Sequence, residues 1–217
     1  MAVAVCLAVG VAASLATFAA ARHPQRPLSS AEGRQPVAIF IGDSYSQGAD
    51  KWPSKVAADQ GWREVNLGRG GTGYRKRLSG KDATNGCGLN ECASFAEMAS
   101  VAVQRKPDIV LVTGGRNDGG ADITTEVNET FRRLREGLPE ARIIAVRAMW
   151  DASRYPGFLV GYGTVIQHAV EGIGGQYLDI GMPLEGRPDL IQPDGVHPTR
   201  EGQAVLGEAV NNELERR

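Results

Sequence analysis

Histidine and cysteine are scarce in this chain, with three of each among 217 residues, and both scarcities narrow the chemistry open to it. His23 falls in a stretch containing proline and serine, and His168 stands beside Val165 and Ile166 in a segment of helical pattern, where a surface or packing role suffices. His197 is left as the candidate base. Cys6 lies in an apolar N-terminal run, while Cys87 and Cys92 flank Gly-Leu-Asn-Glu in a turn-rich loop. No histidine or further cysteine lies nearby to complete four zinc ligands, so a loop-stiffening disulfide is the reading this pair supports. An excess of one charge is also missing: 24 Lys and Arg stand against 25 Asp and Glu, a net charge of -1. No global field therefore selects nucleic acid or an anionic membrane. Neither metal nor cofactor is implied, and a monomer is expected.

Charge is absent altogether from Met1 to Ala21, an Ala-, Val- and Leu-rich run closing in Ala19-Ala20-Ala21. It reads as an export signal, or as an uncleaved anchor, since Arg22 and Arg26 follow it where an export signal carries its positive charge in front. Residues 22–35, with Pro24, Pro27 and Gly33, read as a flexible tether. Residues 36–217 then form one domain, secreted or attached to the cell envelope.

Within that domain apolar runs alternate with helical patterns. Strands are expected at 36–41, 63–67, 108–113, 141–149 and 176–180; helices are expected at 52–60, 94–105, 124–135, 159–173 and 199–214. Alternation of this kind predicts a three-layer α/β/α sandwich around a mainly parallel five-stranded sheet. The segment Tyr74 to Cys92 is polar and glycine-rich, without apolar periodicity, and reads as a loop. Its Arg75-Lys76-Arg77 cluster is expected to be solvated, with contact to an anionic substrate as the minority reading.

Three of the expected strands run directly into turns that carry polar groups. The first delivers Gly42-Asp43-Ser44, where Ser44 is placed for chemistry beyond the carboxyl end of the sheet. The second delivers Gly68-Arg69-Gly70-Gly71-Thr72-Gly73, which formally matches GxGxxG. A dinucleotide fingerprint needs an amphipathic helix opening at that turn, whereas Tyr74 to Cys92 is polar, basic and glycine-rich without apolar periodicity. The third delivers Gly114-Gly115-Arg116-Asn117-Asp118. Before the last helix stands Asp194-Gly195-Val196-His197-Pro198, in which an Asp three residues before a His can accept one imidazole N–H while the other ring nitrogen faces a hydroxyl.

Taken together and in this order, these four blocks resemble the SGNH hydrolases, the GDSL-type esterases and lipases. Gly42-Asp43-Ser44 is similar to their nucleophile block, Asn66 to Gly71 to the glycine block, Gly115-Arg116-Asn117-Asp118 to the GxND block and Asp194 to His197 to the DxxH block. The resemblance implies the flavodoxin-like SGNH fold and a triad of Ser44, His197 and Asp194. It further implies an oxyanion hole of the Ser44 and Gly71 amides with the Asn117 side chain, and hydrolysis of small-molecule, lipid or glycan esters. Two positions depart from the family pattern. Tyr45 stands where leucine is expected and bears on packing beside the serine; Arg116 fills the variable position of GxND, where it biases substrate choice or faces solvent. Trp150, Asp151, Tyr155 and Phe158 form an aromatic loop at the same end of the sheet that either lines a pocket or packs in the core, and Arg116, Trp150 and Tyr155 are the candidate substrate contacts. An α/β-hydrolase shares the order Ser, Asp, His but needs GxSxG around its nucleophile, which Ser44 does not have. A non-catalytic carbohydrate-binding or scaffold module on the same fold is the alternative of another class, although it has no need of a base.

Overall fold

The computed structural model describes residues 33–216. The apolar run 1–21 and most of the tether 22–35, including His23, lie outside them, as does Cys6. Thirteen elements follow in chain order: β1 (Val37–Ile41), α1 (Trp52–Asp59), β2 (Arg63–Asn66), β3 (Leu78–Ser79), α2 (Gly80–Cys87), β4 (Glu91–Cys92), α3 (Phe95–Arg105), β5 (Ile109–Thr113), α4 (Thr124–Gly137), β6 (Arg142–Val146), α5 (Gly157–Gly172), β7 (Gln176–Leu178) and α6 (Arg200–Glu215). Five strands form one sheet in the order β2-β1-β5-β6-β7, every neighbouring pair parallel.

Strand alternation explains the layers. Ile39, Ile41, Val110, Val112, Ile143 and Ala145 point to one face, where α3, α4 and α5 cover them with Phe95, Met98, Phe131, Leu134 and Ile166. Ala38, Phe40, Ile109, Leu111, Ile144 and Val146 point to the other, against Trp52 and Val56 of α1 and Leu206 and Val210 of α6. The expected α/β/α sandwich is what these two apolar faces build. Helix ends are fixed locally: Ser94 and Glu97 form a reciprocal capping box on α3, and the Thr199 hydroxyl accepts the Gly202 amide at the start of α6.

The chain leaves β1 toward β2 on one side and returns to β5 on the other, so the sheet order reverses at β1. Ligands of open parallel sheets bind beyond the carboxyl ends of the strands at such a reversal. Two expectations need correction here. The segment 74–92 is not irregular, because β3 and β4 pair antiparallel and α2 lies between them. Only Ala83 of α2 is buried, so this helix has no apolar stripe for periodicity to reveal. Strand β6 stops at Val146, short of Met149, and the chain from Arg147 onward runs into the aromatic loop.

Candidate active site

Ser44 opens a single 3-10 turn directly beyond β1. The Asp43 carboxylate sets that turn by accepting the Tyr45 amide at 2.9 Å. Asp43 is buried, and loss of hydration pushes its carboxyl up from 3.8 to about 6. A side chain at Gly42 would collide with the Ser46 hydroxyl, so the backbone of the strand end packs directly on the turn.

His197 reaches Ser44 from the far end of the sequence. Its Nε2 lies 2.9 Å from Ser44 Oγ, and its Nδ1 lies 2.7 Å from Asp194 Oδ2. The other carboxylate oxygen of Asp194 accepts the Val196 and His197 amides, each at 2.9 Å, so one side chain holds both the backbone and the ring of the histidine. The hydrogen bond from His197, followed by those two amides, pulls the Asp194 carboxyl down to about 2. An ionised acceptor at Nδ1 fixes the tautomer in which Nε2 is free to take a proton. Both side chains are solvent-accessible, at 38% for His197 and 47% for Asp194, which leaves the line open to a ligand.

The glycine block is tied to both neighbouring blocks. Asn66 donates to Ser46 O at 2.7 Å and accepts the Gly68 amide at 2.7 Å, joining it to the nucleophile turn. Asn117 Nδ2 donates to Thr72 O at 2.8 Å. Beside it, the buried Asp118 carboxylate accepts three successive amides, Tyr74 at 3.0 Å, Arg75 at 3.0 Å and Lys76 at 2.9 Å. Burial raises the Asp118 carboxyl against those three donors. Gly71 has a φ of +74°, left-handed backbone that favours glycine. Gly70 is small for a different reason, since a side chain there would run into Gly86 O of α2, while Leu78 packs on Gly71. The Cys87–Cys92 disulfide closes the hairpin that supplies those two contacts. No helix opens at Gly73, since the turn 74–77 and β3 intervene, and the Asp118 carboxylate closes on Gly73 from the side.

The remaining candidates separate. Trp150 is half-buried at the end of the sheet that carries Ser44. Tyr155 is buried at 8% exposure, donates its hydroxyl to Ala148 O at 2.9 Å and carries the Arg147 guanidinium over its ring at 4.7 Å. These contacts account for its position by packing. His168 is exposed on α5. Arg116 does not face solvent: its side chain is 11% exposed, paired with Asp151 at 3.1 Å and stacked over Trp150 at 4.0 Å. Tyr45 is more than packing, because its hydroxyl accepts from Arg116 at 2.9 Å and donates to Val196 O at 2.7 Å. Sequence reasoning passed over the anchoring by Asp118 and the polar role of Tyr45; the coincidence of two departures from the family pattern, at Tyr45 and Arg116, was the available signal.

Comparison with known proteins bears on the family and the fold. The GDSL lipase Rv0518 of Mycobacterium tuberculosis is 26% identical over 203 residues, covering 85% of this chain and 84% of the relative. Among solved structures, TesA superposes with a TM-score of 0.59 at 20% identity, covering 83% of this chain and 98% of TesA. A family 3 carbohydrate esterase of Clostridium thermocellum gives a TM-score of 0.59 at 13% identity, covering 84% and 96% of the two chains. These structural likenesses are of fold. The model of the GDSL-like Lipase/Acylhydrolase family matches residues 40–205, a span holding all four blocks, and the chain belongs to that family.

Proposed function

We propose that this protein is a serine esterase that hydrolyses acyl or acetyl esters through a covalent acyl-enzyme on Ser44. The observation that carries the reading is the unbroken line from Ser44 Oγ through the His197 ring to Asp194 Oδ2, at 2.9 and 2.7 Å. His197 Nε2 takes the Ser44 proton as Oγ attacks the ester carbonyl, then returns it to the departing alkoxide. Water, deprotonated by the same nitrogen, cleaves the acyl-serine and releases the carboxylic acid. Asp194 stays ionised throughout, holding the ring and balancing the imidazolium.

The negative charge of the tetrahedral intermediate would fall to the amides of Ser44 and Gly71 and to Asn117. An amide NH2 carries two protons, and Thr72 O engages one at 2.8 Å, which orients the side chain and leaves the second for the oxyanion. Donors held in advance cost no reorganisation when charge develops. Trp150 is the candidate for lining the bound ester.

Substrate class follows from kinship: one relative is named a lipase and one structural neighbour a carbohydrate esterase, so lipid and glycan esters are the classes to screen. Action outside the cytoplasm is part of the proposal, motivated by the apolar run 1–21 and the Cys87–Cys92 pair. A non-catalytic module would have no use for a base hydrogen-bonded to a hydroxyl at the mouth of the sheet.

The test is Ser44→Ala. Turnover of p-nitrophenyl acetate should fall by about 10⁴ to 10⁶ with the fold retained by circular dichroism. Wild-type-like turnover by that variant would refute the nucleophile.

A further inference from the structure

Residues beside the nucleophile and beside the base are joined by a partly buried polar chain that the reaction itself does not use. Tyr45 follows Ser44, and Val196 precedes His197. The Tyr45 hydroxyl donates to Val196 O at 2.7 Å and accepts from Arg116 Nη1 at 2.9 Å; Arg116 Nη2 in turn donates to Asp151 at 3.1 Å. Tyr45 is 1% exposed. Its backbone is fixed as well, since Gln203 of α6 donates to Tyr45 O at 3.1 Å and accepts the Trp52 amide at 2.9 Å.

The geometry points to Tyr45, Arg116 and Asp151 as positioning residues that set where His197 stands relative to Ser44, an inference that rests on the serine-esterase reading above. The peptide between Val196 and His197 is gripped on both edges: its N–H by Asp194 and its carbonyl by Tyr45. Asp194 belongs to the same loop and moves with it. Other bonds of the loop, from Gln192 N to His197 O, Gly195 N to Gln192 O, Gln192 Nε2 to Pro198 O and Thr199 N to Leu190 O, stay within residues 190–199. Tyr45 ties it directly to the nucleophile turn.

Arg116 makes that tie stronger and more rigid. A cation donating to the phenol oxygen polarises the O–H toward Val196 O, because hydrogen bonds in series reinforce one another where water is excluded. The guanidinium has one orientation, sandwiched with its centre 4.0 Å from the Trp150 ring and 5.0 Å from the Tyr45 ring. Asp151 completes it. Burial alone would raise the Asp151 carboxyl, but the hydrogen bonds from Ser153 and Arg116 prevail and hold it low, so Asp151 faces the guanidinium as a carboxylate. Burial of the Tyr45 phenol, in turn, keeps it protonated and a donor.

Tyr45→Phe preserves the ring and its stacking and removes only the hydroxyl. The expected result is a fall in kcat of roughly 10- to 100-fold with KM within about twofold, since a displaced base acts on the chemical step and not on ester binding. An activity-independent readout accompanies it: the far-downfield proton NMR signal of His197 Nδ1–H should broaden and exchange faster with solvent. Arg116→Met combined with Asp151→Leu removes both charges together, avoiding a lone buried ion. Alone it should lower kcat several-fold; added to Tyr45→Phe it should lower kcat no further. The inference is overturned if Tyr45→Phe retains kcat within twofold and an unchanged His197 signal, or if the two sets of changes act independently. Should Tyr45→Phe not fold, the double variant, which leaves Tyr45 in place, decides by the same kcat and NMR criteria. Absence of any Ser44-dependent turnover in the wild type would instead remove the esterase reading, and the NMR comparison would still decide whether the relay holds the histidine.

Discussion

Asp118→Ala tests whether the glycine block is held by the block that follows β5. The lost carboxylate accepts the amides of Tyr74, Arg75 and Lys76, of which the first is buried and the other two sit at exposed residues. Stranding the buried amide costs about 1–3 kcal/mol, and each of the others about 0.5–1.5 kcal/mol because water can replace the carboxylate there. The burial that raises the Asp118 carboxyl offsets part of this, leaving a net loss of roughly 3 kcal/mol. For a domain of this size that lowers the midpoint of thermal unfolding by on the order of 6–12 °C. Asp118→Asn should be milder. One amide oxygen can still serve two donors, but its NH2 must face the remaining N–H, so the cost is about 1–3 kcal/mol, from a single unmade bond. Activity should follow the same order, because the three amides lie just beyond Gly71 and Thr72, whose carbonyl orients Asn117. Thermal unfolding by circular dichroism, with p-nitrophenyl acetate turnover at 25 °C where all forms are folded, measures both. An Asp118→Ala protein that melts within about 2 °C of wild type and turns over normally would show that the loop holds its shape without the carboxylate.

Asn117→Ala should lower kcat by about 10² to 10³ with little change in KM, the pattern of a donor engaged chiefly in the transition state; a loss in KM alone would assign Asn117 to substrate binding. Asp43 predicts a pH dependence of stability. Its folded value, about 6, lies above the ordinary 3.8, so its stabilising contribution is complete below about pH 4 and is lost as pH rises through 6. Urea titrations should therefore show Asp43→Asn gaining on wild type by up to about 3 kcal/mol between pH 4 and pH 7, and parallel curves would contradict the burial argument. Protein recovered from its host should lie outside the cytosol with Cys87 and Cys92 joined, two hydrogens lighter than the reduced chain by intact mass; a cytosolic protein with two alkylatable thiols would remove the export proposal.

The sheet was legible because a strand covered on both faces must be apolar on both, and Ile39-Phe40-Ile41 and Ile109-Val110-Leu111-Val112 are written that way. Helix α2 was not, because it buries only Ala83 and is held by the hairpin and its disulfide instead of by an apolar stripe. The hydrogen-bonded line of Ser44, His197 and Asp194 was legible for a local reason. Asp194 and His197 lie three residues apart, so their pairing is a property of one turn, and scarcity of histidine left a single partner for Ser44. The Asp118 anchor has no such local signature: its donors lie 42 to 44 residues away in sequence.

Tyr45 and Arg116 show why long-range polar contacts escape a reading of motifs one at a time. Taken singly, each departure from the family pattern is costly: a tyrosine buried beside the nucleophile brings a hydroxyl that needs partners, and an arginine buried after β5 brings a charge that needs a carboxylate. Placed together they satisfy one another, with Asp151 taking the second arm of the guanidinium and Val196 O the phenol proton. The partners are 71, 35 and 151 residues apart, so only the parallel order β1-β5-β6, which brings the three strand ends side by side, makes the substitution set coherent. Once the Tyr45 hydroxyl is removed, changes at Arg116 and Asp151 should therefore have no further effect on kcat. That coupling is what distinguishes a relay from three independent packing choices.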